Sequence, residues 1–221
     1  MKYDSIFDVI GHIMVGPSSS HTAGACRIGY LAQAIFGKTP KSAIIGFHGS
    51  FAETYRGHGT DIATVAGLLG MTPEDERIPH AFEIAKERGM QYSIEVIDLG
   101  SDYHPNTVQL ELQGDGDKLI IIGNSIGGGN ILIKEINGME AGFNGDRSTL
   151  IVINQDKVGV IAKISDILSK FKLNIGSMKL SRDMKKKIAL CWIEIDNEIP
   201  LELVSVLQQM PEIKLVRILN V

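Results

Sequence analysis

The sequence predicts an α+β protein of two domains, and two patterns carry this prediction. Up to about residue 145, helical stretches mix with short apolar runs separated by Gly, Asp or Asn turns, which indicates helices on an at least partly antiparallel sheet. After that, the order strand–helix–strand–strand–helix–strand is the ferredoxin-like arrangement. We therefore expect domains at 1–145 and 148–221, divided near residue 147 in the polar segment 143–147.

The helices of the first domain are predicted from amphipathic spacing and from the residues at their ends. Ser5 is placed to cap a first helix, and Gly37, Gly70 and Gly89 each follow a helical stretch, where glycine readily takes the left-handed conformation that ends a helix. The predicted helices cover residues 5–14, 22–36, 62–69 and 79–88. The predicted strands cover residues 42–48, 92–99, 107–112, 118–122 and 130–136.

The second domain is predicted from two helices, at residues 159–171 and 200–209, of which the first has an apolar face at helical spacing. Its predicted strands cover residues 149–154, 175–183, 188–195 and 213–219. The basic run Lys185-Lys186-Lys187 lies between the two middle strands, so we interpret it as a solvated hairpin turn.

Charge and hydropathy exclude two classes of partner. The net charge is −4 and no basic face is evident, so we expect no nucleic-acid partner. No apolar run reaches the roughly 18 residues of a transmembrane helix, so we expect no membrane partner. The first residues lack the apolar core of a signal peptide, which predicts a cytoplasmic protein.

The cysteines and histidines do not predict a metal site in this chain. Cys26 and Cys191 are far apart and form no CxxC motif, so we expect two buried apolar residues rather than a disulfide or a zinc site. His21, His58 and His104 lie in polar loops, but no HxH or HxxxH spacing joins them. We therefore rank acid–base or substrate contacts above metal binding for these histidines.

The first candidate site is Ser18-Ser19-Ser20-His21-Thr22, where a loop enters a helix. The first amides of a helix lack intrahelical acceptors and carry partial positive charge, so added hydroxyl donors would suit a carboxylate or phosphate. The simpler interpretation is an ordinary N-cap, for which one serine suffices.

The second candidate is Gly57-His58-Gly59-Thr60-Asp61. Flanking glycines allow a sharp bend that would expose the imidazole, and histidine titrates close enough to neutrality for acid–base work. Capping of the next helix by Thr60 or Asp61 is the simpler interpretation, although it leaves His58 unexplained.

Three weaker signals complete the candidates. His104-Pro105-Asn106 offers donors at a strand entrance but suits a turn better. Gly127-Gly128-Gly129-Asn130 suits a ligand-wrapping backbone or a flexible turn equally well, and it is not a dinucleotide fingerprint. In the second domain, Gly159 would admit a small ligand at a helix start and Asn174 precedes a strand, although a plain turn capped by Asp156 is favoured by propensity.

Taken in order, these motifs resemble the bacterial iron–sulfur L-serine dehydratases. The resemblance rests on the Ser18–Thr22 and Gly57–Asp61 motifs, on His104-Pro105-Asn106, and on Gly49-Ser50-Phe51-Ala52-Glu53-Thr54 and Ser125-Ile126-Gly127-Gly128-Gly129. Asp156-Lys157-Val158-Gly159-Val160 and Asn174-Ile175 resemble an ACT domain. The resemblance covers nearly the whole chain and matches the beta subunit of the two-subunit enzyme.

The resemblance implies conversion of L-serine to pyruvate and ammonia with a [4Fe–4S] cluster. Such a cluster needs about three or four cysteine thiolates, and this chain has two cysteines. A cysteine-bearing alpha subunit is therefore expected to hold the cluster, and the isolated chain is expected to be inactive.

The resemblance also implies roles for individual residues. The implied catalytic residues are His21, His58 and His104, with His58 preferred for proton transfer or for orienting the substrate. The implied substrate contacts are Ser18, Ser19, Ser20, Thr22, Asp61, Asn106 and Gly128. Gly159 and Asn174 would bind an amino-acid effector, L-serine being the natural candidate, at the seam of an ACT homodimer, where a monovalent cation is a further candidate.

Two other functions fit parts of the sequence. A serine-site-like domain followed by an ACT domain also resembles the regulatory half of some 3-phosphoglycerate dehydrogenases, which binds an anion and serine. The third interpretation is a free-standing ACT sensor on an unrelated scaffold. The intact serine-rich and Gly-His-Gly motifs favour the dehydratase.

Overall fold

The computed structural model describes residues 13–220, so the predicted helix at 5–14 lies outside the described residues except for Ile13 and Met14, which are not helical. The chain forms two compact units, Met1–Asn137 and Gly138–Val221. Each unit mixes helices with strands, which confirms the α+β prediction. The division falls in the turn before the strand Met139–Phe143, which the sequence did not predict. The domain boundary near residue 147 stays a prediction.

The first unit opens with a π-helical turn, Ser19–Ala23, that runs directly into its first helix. Its helices are α1 (Gly24–Phe36), α2 (Ser50–Thr54), α3 (Thr60–Leu68) and α4 (Ala81–Glu87), with a 3-10 turn at Ile78–His80. Its strands are β1 (Ser42–His48), β2 (Gln91–Val96), β3 (Thr107–Gly114), β4 (Asp117–Gly127) and β5 (Asn130–Ile136). Helix α2 was not predicted, because five residues are too few for a helical period to register.

The first sheet has the strand order β2-β1-β3-β4-β5-β6, where β6 is Met139–Phe143. Strands β1 and β2 are parallel, whereas β1–β3, β3–β4 and β4–β5 are antiparallel. The register pairs His48 with Thr107, and Thr107 with Asn124. The segments after β1, before β3 and at the end of β4 therefore emerge at one end of the sheet.

Helices α1 and α3 cross at two glycines, one on each helix. A Cβ atom on Gly29 would lie 2.5 Å from the carbonyl oxygen of Thr64, and one on Gly67 would overlap the carbonyl oxygen of Cys26. Both obstacles are backbone atoms, which move only if a whole helix moves. The helices can approach this closely because both crossing residues lack a side chain.

We expect Gly67→Ala to lower the free energy of unfolding by about 3 kcal/mol, because the added methyl group overpacks this crossing. Gly70→Ala is the matched control. Gly70 has φ +85° and nothing within 4 Å of its Cβ position, so that change should cost about 1 kcal/mol for the left-handed backbone alone. Urea unfolding of both variants measures the difference, and equal losses would contradict the role of the crossing.

In the second unit, strand β6 is followed along the chain by strands and helices in the predicted ferredoxin-like order. Its helices are α5 (Val160–Lys170) and α6 (Glu202–Gln208). Its strands after β6 are β7 (Thr149–Gln155), β8 (Ile175–Asp183), β9 (Ile188–Ile195) and β10 (Ile213–Leu219). They form an antiparallel sheet in the order β10-β7-β9-β8, and the predicted lysine turn joins β8 to β9.

Both faces of this second sheet make contacts within the unit. Apolar residues of α5 and α6, among them Ile164, Leu168 and Leu203, pack on Val152 and Ile193 in one core. On the opposite face β6 lies near Trp192, whose Nε1–H donates to the carbonyl oxygen of Ala141 over 2.9 Å. Between residues 13 and 220 no helix combines the length and apolar character required to cross a membrane.

Candidate functional site

Ser18 begins the helical run that carries the serine-rich motif. Its Oγ accepts a hydrogen bond from the His21 N–H over 3.1 Å, which makes Ser18 the N-cap. The run opens as the π-helical turn Ser19–Ala23, earlier than predicted, and such turns are frequent at functional sites. Because the first amides of a helix have no intrahelical acceptor, the N–H groups of Ser19 and Ser20 create positive potential at this end.

The imidazole of His21 is surrounded by hydroxyl groups and aromatic rings. Its Nδ1 lies 3.1 Å from Ser20 Oγ, and its Nε2 lies 3.2 Å from Ser50 Oγ. The His58 ring packs on it with centroids 4.7 Å apart, and Phe51 presents an edge at 5.2 Å. Burial lowers the pKa of His21, and the neighbouring His58 lowers this pKa further. The neutral ring, which can either give or take a hydrogen bond, is therefore favoured.

His58 is less exposed than its flanking glycines predicted, because its ring packs on His21. Its backbone N–H donates to the Thr54 carbonyl oxygen over 3.1 Å, and its own carbonyl oxygen accepts from Thr22 Oγ1 over 2.8 Å. Its Nδ1 is buried without a hydrogen-bond partner in the part of the chain that the structure describes. A buried polar nitrogen normally has a hydrogen-bond partner, so the Nδ1 of His58 is available to a bound ligand or water molecule.

Thr22 joins the two motifs. Its side chain is buried, and its hydroxyl both donates to the His58 carbonyl oxygen and accepts from the Ser18 N–H over 3.3 Å. A Cβ atom on Gly16 would overlap Thr22 Cγ2, so the chain packs closely over this side chain. The hydroxyl expected to contact substrate is thus occupied, and it fixes the position of His58 relative to the helix start.

The start of α3 differs from the interpretation that Thr60 or Asp61 caps this helix. The N-cap is Gly59 at φ +63°, and neither Thr60 nor Asp61 caps the helix. The Oδ1 of Asp61 instead accepts a hydrogen bond from the adjacent Ile62 N–H over 2.8 Å. Burial raises the pKa of this half-buried carboxyl group.

The His104 loop lies against the turn that carries Ser50. A Cβ atom on Gly49 would come within 2.7 Å of the Pro105 carbonyl oxygen. The Nδ1 of His104 accepts from the Asn106 N–H over 3.1 Å, a bond within its own loop. The structure therefore brings the loop to the site but gives the His104 ring no hydrogen bond to His21 in the described part of the chain.

Ser125 connects the end of β4 to the serine-rich turn. Its Oγ donates to the Ser20 carbonyl oxygen over 2.8 Å, and its N–H donates to the Asn106 carbonyl oxygen over 2.9 Å. The following glycines form the turn between β4 and β5, all three with positive φ, so Gly128 fits the turn interpretation. The Gly129 carbonyl oxygen accepts from Arg27 over 3.0 Å.

Two of these residues were not among the predicted site residues. Ser50 lies 29 positions from His21 and Ser125 lies 105 positions from Ser20. The signal that could have drawn attention to Ser50 is the Gly49-Ser50 pair directly after a buried strand, where a glycine often permits a sharp turn.

In the second unit, α5 separates the two predicted effector residues. Gly159 is the N-cap of α5 at φ +87°, whereas Asn174 follows the helix and donates to Asp196 Oδ2 over 2.6 Å. The eleven residues of α5 span about 16 Å. Asp156 does not cap this helix but pairs with Arg182 at 2.8 Å.

The two cysteines are buried, one on α1 and one on β9, as predicted. Burial raises the pKa of the Cys26 thiol to about 12, with a contribution from Glu74 and Asp75, and raises that of Cys191 to about 11. An iron–sulfur cluster binds thiolates, three or four of them. Two buried, protonated thiols in separate units do not fit such a cluster.

Comparison with known families identifies two regions. The family described as serine dehydratase beta chain matches residues 5–136. The family described as AHAS small subunit-like ACT domain matches residues 150–217.

Individual relatives agree with these matches. The chain is 44% identical over 213 residues to the probable L-serine dehydratase, beta chain, of Bacillus subtilis (strain 168), which covers 96% of both chains. It is 42% identical over 193 residues to the L-serine dehydratase, beta chain, of Peptoniphilus asaccharolyticus, which covers 87% of both. It is 24% identical over 196 residues to the D-3-phosphoglycerate dehydrogenase of Bacillus subtilis, which covers 89% of this chain and 37% of that protein.

Proposed function

Because this chain belongs to the serine dehydratase beta-chain family and carries an ACT domain, we propose that it is the non-cluster subunit of an L-serine dehydratase. The reaction converts L-serine to pyruvate and ammonia. The observation that carries the proposal is the cluster of Ser18, Ser20, His21, Ser50 and His58 at the start of a helical run.

The start of this helical run suits the carboxylate of L-serine. Hydroxyl groups of Ser18 and Ser20 lie 3.4 Å apart beside the first amides of the helix. Hydroxyls and helix-start amides together bind anions well. Ser18, Ser19 and Ser20 would hold the carboxylate, whereas Thr22 has a positioning role because its hydroxyl is occupied.

The two packed histidines suit the proton transfers of the reaction. Loss of water from L-serine removes the α-proton and the β-hydroxyl group, and a neutral imidazole can accept a proton. We assign proton transfer or substrate orientation to His58, whose Nδ1 lacks a partner in the described residues. His21 and the His104 loop would line the same site. Asp61, Asn106 and Gly128 remain proposed substrate contacts.

The iron–sulfur cluster that the family resemblance implies would reside on a cysteine-bearing alpha subunit. The only two cysteines of this chain are buried and protonated. The open side of the serine-rich turn would face that subunit, so neither chain alone completes the site. The proposal is tested by assaying pyruvate release from L-serine without oxygen, with each chain alone and with both.

The regulatory half of a 3-phosphoglycerate dehydrogenase is the less favoured function. Identity to such a dehydrogenase is 24%, against 44% to a serine dehydratase beta chain. The match of the first unit to the beta-chain family also argues against an ACT sensor on an unrelated scaffold.

We propose that the ACT domain binds an amino acid, with L-serine as first candidate and a monovalent cation as a second ligand, between two copies of this chain. Gly159 and Asn174 lie beyond opposite ends of α5, a helix about 16 Å long, so one copy would supply Gly159 and the other copy Asn174. Strand β8 ends the sheet order and therefore has an unpaired edge within residues 13–220. Met178, Leu180 and Met184 on or just after β8 are exposed apolar residues, which suits a seam between copies.

We expect Leu180→Glu to convert a dimer of the chain to a monomer, because two added carboxylates would face each other at the seam and lose hydration. Leu201→Glu, at an exposed apolar residue before α6, is the control and should leave the dimer intact. Light scattering after size-exclusion chromatography measures both masses. A monomeric unmodified chain, or an unchanged Leu180→Glu dimer, would contradict the proposed seam.

A further inference from the structure

We propose that His48, at the end of β1, is a positioning residue for the connection between β2 and β3, residues 97–106. Its Nδ1 holds the start of this connection, so that Pro105 and Asn106 at the other end reach the serine-rich site. This role deepens the function proposed above and depends on it only in the final assay. His48 acts through the backbone of the connection and needs no contact with substrate.

The main-chain ladder between β1 and β2 ends just before His48. The Ile97 N–H donates to the Phe47 carbonyl oxygen over 2.9 Å. Because the hydrogen bonds of a parallel pair are evenly spaced, the next one would join the Leu99 N–H to the Gly49 carbonyl oxygen. Gly49 has φ 58° and ψ −129°, a conformation that favours glycine and leaves the direction of the strand. The ladder therefore does not continue.

The His48 side chain supplies the acceptor that the main chain withdraws. The Gly49 carbonyl oxygen accepts from the Glu53 N–H over 3.2 Å, a bond at the start of α2. The Leu99 N–H instead donates to His48 Nδ1 over 3.2 Å. The His48 side chain is only 13% exposed, so this bond lies largely out of water and is stronger for it. One imidazole nitrogen thus ties the start of the connection to β1.

The direction of this bond fixes which His48 nitrogen carries the proton. A backbone N–H only donates, so Nδ1 must be bare and a neutral ring must carry its proton on Nε2. Asp98 Oδ1 lies 3.8 Å from the same Nδ1, beyond hydrogen-bond range, and its side chain is 90% exposed. The Asp98 carboxylate accepts from the Gly100 N–H over 2.8 Å instead. The bond to Leu99 therefore requires the neutral Nε2–H form of His48.

The middle of the connection is held from the other side, by β5. Lys134 Nζ donates to the Asp102 carbonyl oxygen over 3.2 Å, and the Tyr103 hydroxyl donates to Glu135 over 2.7 Å. Residues 98–101 lie between these bonds and the end of β2. Among the described residues, the His48 bond is the one that holds this stretch to β1.

The far end of the connection accepts from two backbone amides beside the site. The Pro105 carbonyl oxygen accepts from the Phe51 N–H over 3.4 Å, and the Asn106 carbonyl oxygen accepts from the Ser125 N–H over 2.9 Å. Phe51 follows the serine that contacts His21, and the Ser125 hydroxyl donates to the serine-rich turn. A shift of the connection would therefore be passed to both sides of the site.

The variants His48→Asn and His48→Gln test this role as a matched pair. The Asn Oδ1 takes the place of histidine Nδ1, so His48→Asn keeps an acceptor for the Leu99 N–H. The Gln side-chain amide reaches the place of Nε2, so His48→Gln removes that acceptor and stays polar and similar in size. Hydrogen exchange of backbone amides, followed by NMR in the whole isolated chain, measures the consequence.

We expect the Leu99 amide to exchange about fivefold faster in His48→Gln than in the unmodified chain, the scale of one hydrogen bond. The Phe51 and Ser125 amides should also exchange faster, because their acceptors are no longer held in place. His48→Asn should keep all three near their unmodified rates. The Ile97 amide is the internal control, since its acceptor is a main-chain oxygen in every variant. Nitrogen-15 spectra of the His48 ring should show the proton on Nε2.

Equal Leu99 exchange in His48→Gln and the unmodified chain, or a ring proton on Nδ1, would overturn the proposed role. A faster Leu99 amide with unchanged Phe51 and Ser125 amides would show a purely local bond and would overturn it as well. In the complex with the alpha subunit, we expect His48→Gln to raise KM for L-serine about fivefold with kcat changed less, and His48→Asn to restore it. A complex that releases no pyruvate, while the three amides follow the acceptor, would refute the proposed function and still support the role of His48.

Discussion

Pyruvate release from L-serine is expected only when this chain and a cysteine-bearing alpha subunit are present together. This chain would supply the carboxylate site and the histidines, whereas its two buried cysteines, one in each unit, are too few to hold a cluster that needs three or four thiolates. We expect the isolated chain to be indistinguishable from buffer in an anaerobic assay. The complex should turn over at a rate within the usual enzyme range of roughly 1–1000 per second.

A cysteine-free version of this chain is the matched control. Cys26→Ala with Cys191→Ala removes every thiol of this chain, although both changes weaken the packing of the two cores. Because the cluster would be held by the alpha subunit, the complex should keep its iron and sulfide content and its activity per folded complex. Loss of the cluster from a folded complex with this variant would show that this chain holds it. Activity of the isolated, iron-free chain would contradict the two-subunit proposal.

His58→Ala is expected to lower kcat of the reconstituted complex by about 10²–10⁴-fold, the usual contribution of a positioned acid–base group. The ring packs on His21 and has a buried, unpaired Nδ1 within the described residues, so its removal takes away a proton acceptor or an orienting contact. KM should change less than kcat if the carboxylate is held by the serine-rich turn.

The control for this variant is His80→Ala. His80 is exposed on the 3-10 turn and pairs with Glu83 at 2.9 Å, so its loss should leave kcat within about twofold. Thermal unfolding and co-purification with the alpha subunit verify that His58→Ala still folds and assembles. Turnover unchanged in a correctly assembled His58→Ala complex would refute the assigned role.

Much of the fold follows from local sequence patterns. Strands β1, β8 and β9 and the lysine turn lie where the alternation of apolar residues and the turn residues predicted them. Helix α2 and strand β6 were missed, because each has five residues and neither gives a clear period. Strand β4 extends to Gly127, well beyond its predicted end, since pairing with β5 supports the polar residues Asn124 and Ser125.

The sequence by itself determined which residue types are available for chemistry: the serine-rich helix start, the histidine between two glycines, and too few cysteines for a cluster. Only the tertiary structure decided which of them meet. It packed His58 against His21, brought Ser50 to the same imidazole and buried the side chain of Thr22. The physical reason is that capping and periodicity act over a few residues, whereas these contacts depend on the register of β1, β3 and β4 and on the close crossing of α1 and α3.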